Sequence, residues 1–153
     1  MATAASTRRH VRYSSLDEII ADAERAVRDK ATTTGNWSLG QILEHLAIAQ
    51  ESMIDGFGFT TPWPVRTVGR VFFKNRLLTK GMTPGFKLPA KGARLIPDET
   101  DAGDAFEHLR RSAERLKAEQ KRSAHPFLGP LTVDEATQLC LRHAELHMSF
   151  VTA

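Results

Sequence analysis

Apolar positions along the chain fall into runs of helical period, separated by stretches rich in glycine and proline. Leu16, Ile19, Ile20, Ala23 and Val27 recur at three- and four-residue steps, the spacing that lines one face of an α-helix. Ser15-Leu16-Asp17-Glu18 ahead of them fits a capping box, in which the serine oxygen accepts from the backbone three residues on and the glutamate reaches back to the cap N–H. The pattern predicts a first helix from about Leu16 to about Lys30, ending before the Thr32–Gly35 turn. A second box, Ser38-Leu39-Gly40-Gln41, opens a helix striped by Leu39, Ile42, Leu43, Leu46, Ala49 and Met53 and closed by Gly56 and Gly58. Trp37 stands one residue before that cap, where a hydrophobic staple packs, here against Ile42.

Pro62-Trp63-Pro64 interrupts the pattern. Val68, Val71, Phe72 and Leu78 predict a third helix from about Val65 to Lys80, stopped by Gly81 or Pro84. The following GMTPGFKLPAKGARLIPDET has no period and reads as a long ordered loop; loops of that length inside a compact domain often line a site. Asp101 caps a fourth helix, with Ala105, Phe106, Leu109, Ala113 and Leu116 inward, running to about Arg122. His125 to Pro130 form a turn, and Thr132-Val133-Asp134-Glu135 is a third box opening a last helix that reaches about Val151. No segment alternates as a strand does. The expectation is an all-α fold of four long helices and one shorter or irregular one. Residues 1–13 are expected to be a loosely held polar tail, with MATAAST disordered, and 14–153 a single helical domain.

A chain of 153 residues fits one domain. Its single cysteine, Cys140, excludes an internal disulfide and suits a reducing compartment. The net charge is +3, with small basic clusters at Arg8–Arg12 and Arg66–Lys80. Acidic residues alternate with basic ones on the helices, so the charges read as solvated faces and no nucleic-acid partner is expected. Arg8-Arg9 resembles the start of an export signal, but Asp17, Glu18, Asp22 and Glu24 follow where an apolar stretch is required. No run approaches the roughly 18 apolar residues of a membrane span. A cytoplasmic location and no membrane partner are expected.

Candidate chemistry gathers in LTVDEATQLCLRHAELHMSF, where His143 and His147 are four residues apart and Cys140 precedes the first by three. Each helical residue advances about 100°. With Cys140 at zero, His147 lies at about −20° and His143 at about −60°, within the stripe of Val133, Ala136, Ala144 and Val151. Arg142, Glu145 and Ser149 fall mostly outside that stripe. Neutral imidazoles side by side in an apolar setting each bring a donor and an acceptor that need partners; a divalent ion takes both acceptors at once. His45 lies at the edge of the second helix's core face and offers a third nitrogen from a facing helix. His143-Ala144 lacks the glutamate of His-Glu-x-x-His, so a zincin protease is unsupported. The alternative reading makes all three histidines packed core or rim residues.

The stretch NWSLGQILEHLAIAQESM resembles the segment of DinB-like proteins in which Trp-x-Leu-Gly-x-x-x-x-His-Leu opens the second helix, and His143-x-x-x-His147 resembles the other half of that superfamily's histidine triad. RYSSLDEIIADAERA, GMTPGFKLP and HPFLGPLTVDE are similar to one uncharacterised branch of it. The resemblance covers roughly residues 8–151. It implies a four-helix bundle of up-down-down-up topology, often a homodimer, and a divalent metal, commonly zinc or nickel, on three histidines: His45, His143 and His147 here. Relatives of known activity are metal-dependent thiol transferases and a thiol-dependent isomerase that use low-molecular-weight thiols.

Two function classes follow. The first is a metal-dependent enzyme, a thiol transferase or hydrolase acting on a small molecule, with the GMTPGFKLPAKG loop and Phe57–Trp63 as substrate walls and Lys87 or Arg94 meeting a carboxylate. The second is a non-catalytic metal- or ligand-binding bundle. The three imidazoles suit zinc, nickel, iron and copper alike. Cys140 is either a fourth ligand or a small hydrophobe. Trp37 is expected to be a packing residue, His125 structural, and His10 and His108 without a role.

Overall fold

The computed structural model describes residues 8–152; the MATAAST segment lies outside them. Among the described residues there are six α-helices: α1 (Leu16–Arg28), α2 (Leu39–Asp55), α3 (Trp63–Val68), α4 (Lys74–Lys80), α5 (Ala102–Ala118) and α6 (Val133–Met148). A π-helical turn at Gly69–Phe73 joins α3 to α4, and a short 3-10 helix occupies Ala90–Leu95. No strand is present among the described residues, only isolated bridges at Thr33–Val151 and His125–Gly129. The all-helical expectation stands.

Local chemistry explains the helix starts. Ser38 accepts from the Gln41 N–H while the Gln41 side chain accepts from the Ser38 N–H, and Thr132 and Glu135 repeat the exchange. Each reciprocal pair satisfies two otherwise orphaned donors. At α1 the exchange is shifted: Ser15 accepts from the Glu18 N–H, but Glu18 reaches past the cap to the Ser14 N–H at 2.6 Å.

The four longest helices, α1, α2, α5 and α6, share one apolar core, with α2 lying most extensively on α5. Ile19, Leu43, Leu46, Ile54, Leu109, Leu139 and Met148 are almost wholly inaccessible there. Burying one such side chain contributes about 1.5–3 kcal/mol, against about 1 kcal/mol for a typical cap.

Several boundaries differ from the periodicity. α1 stops at Arg28 because Lys30 turns into left-handed backbone at φ 51°. α5 ends at Ala118, where Arg122 folds back and donates to the carbonyls of Leu116, Glu119 and Lys121. α6 ends at Met148; Thr34 and Thr152 then form backbone bonds with Phe150 and Thr32, tying the following residues to the α1–α2 connection. The third predicted helix is one helical arm broken by the π turn. Gly69 sits there against the Phe127 carbonyl, and a Cβ would lie 2.2 Å from that oxygen.

Residues 8–13 are not loosely held. The Arg9 N–H donates to the Ser149 carbonyl at 2.8 Å, and the Arg9 guanidinium meets Asp22 at 2.9 Å. Tyr13 is buried; its N–H donates to Glu145 at 2.9 Å and its carbonyl accepts from Arg142 at 2.8 Å. Polar composition suggested a free tail, but these polar groups are paired with buried ones on α1 and α6. The same contacts bury Arg142, Glu145 and Ser149, which the angular reading of α6 left mostly outside the core face.

Candidate metal centre

Two helices and one loop build the site. His45 comes from the second turn of α2, and His143 and His147 from the last two turns of α6. His45 Nε2 lies 3.0 Å from His143 Nε2, and His147 Nε2 lies 3.1 Å from the same atom. The three rings pair edge-on at centroid distances of 4.9, 4.5 and 4.7 Å. One nitrogen from each falls within 4.8 Å of the others, close enough to hold a metal ion. Nitrogens about 3 Å apart match the spacing around an ion bonded to each at roughly 2.0–2.1 Å.

The proton inventory decides whether packing alone accounts for this arrangement. His45 Nδ1 lies 2.6 Å from the Leu95 carbonyl. A carbonyl only accepts, so that nitrogen carries the hydrogen and His45 Nε2 presents a lone pair. His143 Nε2 faces two nitrogens at once. If it carries a hydrogen, the N–H points at one neighbour and the other contact lacks a donor. If it does not, it meets His45 lone pair to lone pair. Protonation of a ring would relieve this, but the surroundings oppose it. Burial, then the imidazoles of His147, His45 and His125, push His143 well below the usual histidine range. Burial, then His45, hold His147 down to about 3. Burial lowers His45 as well, against the opposing bond to Leu95. Neutral rings with converging lone pairs fit a divalent cation, which accepts from all of them.

The loop before α5 supplies the orienting group. Leu95 to Thr100 lie along the first turns of α2: the Leu95 carbonyl on His45, the Pro97 carbonyl on Gln41, Glu99 on Ser38 at 2.6 Å, and the Thr100 carbonyl beside Gly40. A Cβ at Gly40 would stand 1.7 Å from that last oxygen, so the glycine is what lets the loop lie down. A ligating histidine whose second nitrogen donates to a backbone carbonyl is fixed in tautomer and orientation.

Trp37 is the site's aromatic wall. Its ring stacks on His147 at 5.5 Å and 12° and tilts on His45 at 4.9 Å. The staple expectation missed this, because a rule about neighbours in sequence says nothing of a helix nearly a hundred residues away. The Trp-x-Leu-Gly-x-x-x-x-His spacing was the available signal. Leu95 had none, since it acts through its backbone.

Residues 5–153 match the family described as "Protein of unknown function (DUF1569)". The chain belongs to that family. No curated protein and no solved structure matches it. In this DUF1569 chain the other predicted site residues lie apart from the triad. Cys140 is buried in the core, where burial pushes its thiol up to about 12, and it is not among the side chains that converge with the histidines. It is the small hydrophobe of the two readings. Arg94 donates to the Gly56 carbonyl, Lys87 is exposed, and Trp63 points to solvent. Phe57 packs on His125 and Phe59 on Phe127. His125 accepts the Phe127 N–H at Nδ1, and burial lowers it to about 4. His108, left without a role, bridges Glu44 and Glu51 at 2.9 and 3.0 Å and so ties α5 to α2. No helix of the described residues is long and apolar enough to cross a membrane.

Proposed function

We propose that His45, His143 and His147 hold a divalent metal ion and that the loaded protein acts on a small molecule. The observation that carries this reading is the set of three converging imidazole nitrogens whose contacts no assignment of neutral tautomers satisfies. Three imidazoles suit zinc or nickel, and also iron or copper. Such an ion, when bound, lowers the pKa of a coordinated thiol or water and yields a nucleophile at neutral pH. The chain's own residues set the conditions. Leu95 fixes the His45 tautomer, burial keeps all three rings neutral, and Trp37 shields one side from water.

The same reading extends to the DinB-like superfamily: an up-down-down-up bundle, a homodimer, a cytoplasmic setting, and a thiol transferase or hydrolase acting on a low-molecular-weight thiol or related substrate. A non-catalytic metal- or ligand-binding role is the second reading. It is favoured by the position of the triad between α2 and α6, where an ion would tie two helices of the core together.

The test is metal content by elemental mass spectrometry on untagged protein, with His143→Ala beside it. About one ion per chain in the wild type, lost in the variant, is expected. No metal in either after incubation with zinc or nickel overturns the site. Turnover in a screen of thiol-transfer and hydrolysis reactions by loaded wild type, absent in the variant, separates the enzyme from the second reading.

A further inference from the structure

The arm formed by α3, the π turn and α4 shows solvent an unusual surface. Trp63 is 70% exposed, Val71 65% and Phe72 71%, and Val65, Val68 and Phe73 are about half exposed. Val65, Val68 and Phe72 follow at steps of three and four, which sets them in one row of a helix. Phe86 from the next loop, 69% exposed, adjoins the same region: its ring packs on Phe127 at 5.4 Å, and the Phe127 carbonyl is where Gly69 touches down. Monomers rarely leave large side chains exposed as a contiguous group without a use for them.

Charge is segregated in the same place. From Gly56 to Pro97 the sequence has eight lysines and arginines and no aspartate or glutamate. The rest of the chain has thirteen against eighteen. The overall +3 therefore conceals a cationic lobe on an anionic body. Arg76, Lys80 and Lys87 have no ion-pair partner among the described residues; Lys74 is spent on Glu135 at 2.7 Å.

We infer that this arm is a docking surface for an anionic lipid bilayer, on which the protein lies without crossing it. A helix with exposed aromatic and aliphatic side chains interleaved with arginine and lysine is suited to the bilayer interface: rings enter the acyl boundary while cations meet lipid phosphates and carboxylates. The absence of carboxylates from the patch removes any repulsion there, and the anionic remainder of the molecule turns the arm, rather than another face, toward the membrane. A second copy of the chain is the poorer occupant. Face-to-face pairing of two such arms sets like charge against like charge with no carboxylate between them. The length criterion that excluded a membrane from the sequence applies to spanning and not to lying on the surface.

The experiment is co-sedimentation of the full metal-loaded protein with vesicles of phosphatidylcholine alone and of phosphatidylcholine mixed with phosphatidylserine. Binding to the anionic vesicles only, weakened by salt, is expected. Arg76→Gln with Lys80→Gln should lower the partition about 25-fold, at about fivefold per charge. Trp63→Ala with Phe72→Ala should abolish it with circular dichroism and metal content unchanged; all four residues are exposed. Tryptophan emission quenched by brominated lipid in wild type and unquenched in Trp63→Phe places the arm in the bilayer. Pelleting with neither vesicle overturns the proposal, as does equal pelleting with both. So does a dimer by light scattering that Phe72→Ala dissociates, or retention on single-stranded nucleic acid without vesicle binding.

Discussion

Gly40→Ala distinguishes tertiary fit from helix propensity by sign. The substitution lies in the first turn of α2, where replacing glycine by alanine in an unencumbered helix interior stabilises by about 0.8–1.0 kcal/mol. Here the added Cβ would stand 1.7 Å from the Thr100 carbonyl oxygen and 2.8 Å from its carbon, while ordinary contact begins at 3.4 Å. The oxygen belongs to backbone and cannot rotate aside, so the loop must move by about half that ordinary distance. Overpacking of this kind costs about 1–3 kcal/mol. Set against the propensity gain, the net loss runs up to about 2 kcal/mol, and at about 2–4 °C per kcal/mol for a chain of this size the melting temperature falls by up to about 8 °C instead of rising. The displaced loop is the one that brings Leu95 to His45. Disturbing such an orienting bond weakens metal binding by about 10–100-fold. Thermal melts of the metal-free protein and a competition titration with a chromogenic chelator measure the two effects. A variant that melts above wild type, by the gain that propensity alone predicts, would refute the claim that the loop's approach needs glycine. A lowered melting temperature with unchanged metal affinity would refute the coupling of Leu95 to the site.

Cys140→Ala is expected to keep one metal per chain and to lose about 1 kcal/mol by leaving a small cavity; loss of the ion would restore the thiol as a ligand. Asp22→Asn is expected to cost about 1–3 kcal/mol, since the carboxylate is buried among Arg9, Arg25 and Tyr13 and removing its charge strands partly exposed partners. Burial raises the Asp22 pKa, but the bonds from Arg9 and Tyr13 outweigh it and the folded value lies below the usual one. Its stabilisation is therefore in place above about pH 4 and is lost as the pH falls through the lower folded value, so urea melts of wild type and variant should converge in acid and not at neutrality. His108 has the opposite sign. Burial lowers it, and the bonds to Glu44 and Glu51 more than compensate, leaving the folded pKa raised. His108→Gln should cost about 1 kcal/mol or less below pH 6.5, and progressively less as the pH rises through the folded value; a gap between the two proteins that widens with pH would count against the bridge.

The helix starts and the histidine pair were legible in the sequence because both depend on short-range spacing. Ser38 with Gln41, Thr132 with Glu135, and His143 with His147 involve residues three or four apart, where helix geometry leaves little freedom. What failed was whatever required knowing a helix's second neighbour. Arg142, Glu145 and Ser149 looked solvent-facing because angular arithmetic assumes one buried face, whereas α6 is covered from another side by residues 8–13. Trp37 was read through its nearest apolar partner, and it instead spans to α6. The 3-10 helix at Ala90–Leu95 has no repeat to detect, and the π turn at Gly69–Phe73 lies against a residue 58 positions downstream, a contact that local periodicity does not register.

His45 and His143 are 98 residues apart in the chain. An ion held by both is, topologically, a cross-link closing a loop of about that length, and a cross-link of such span removes on the order of 4–5 kcal/mol of chain entropy from the unfolded state by the polymer estimate. A protein with one cysteine has no covalent means to the same end. The ion would serve as an exchangeable staple: firm while metal is available, released by chelation, and never dependent on an oxidising environment. Starving the protein of metal would then shorten its lifetime against proteolysis as well as remove the centre that yields the nucleophile.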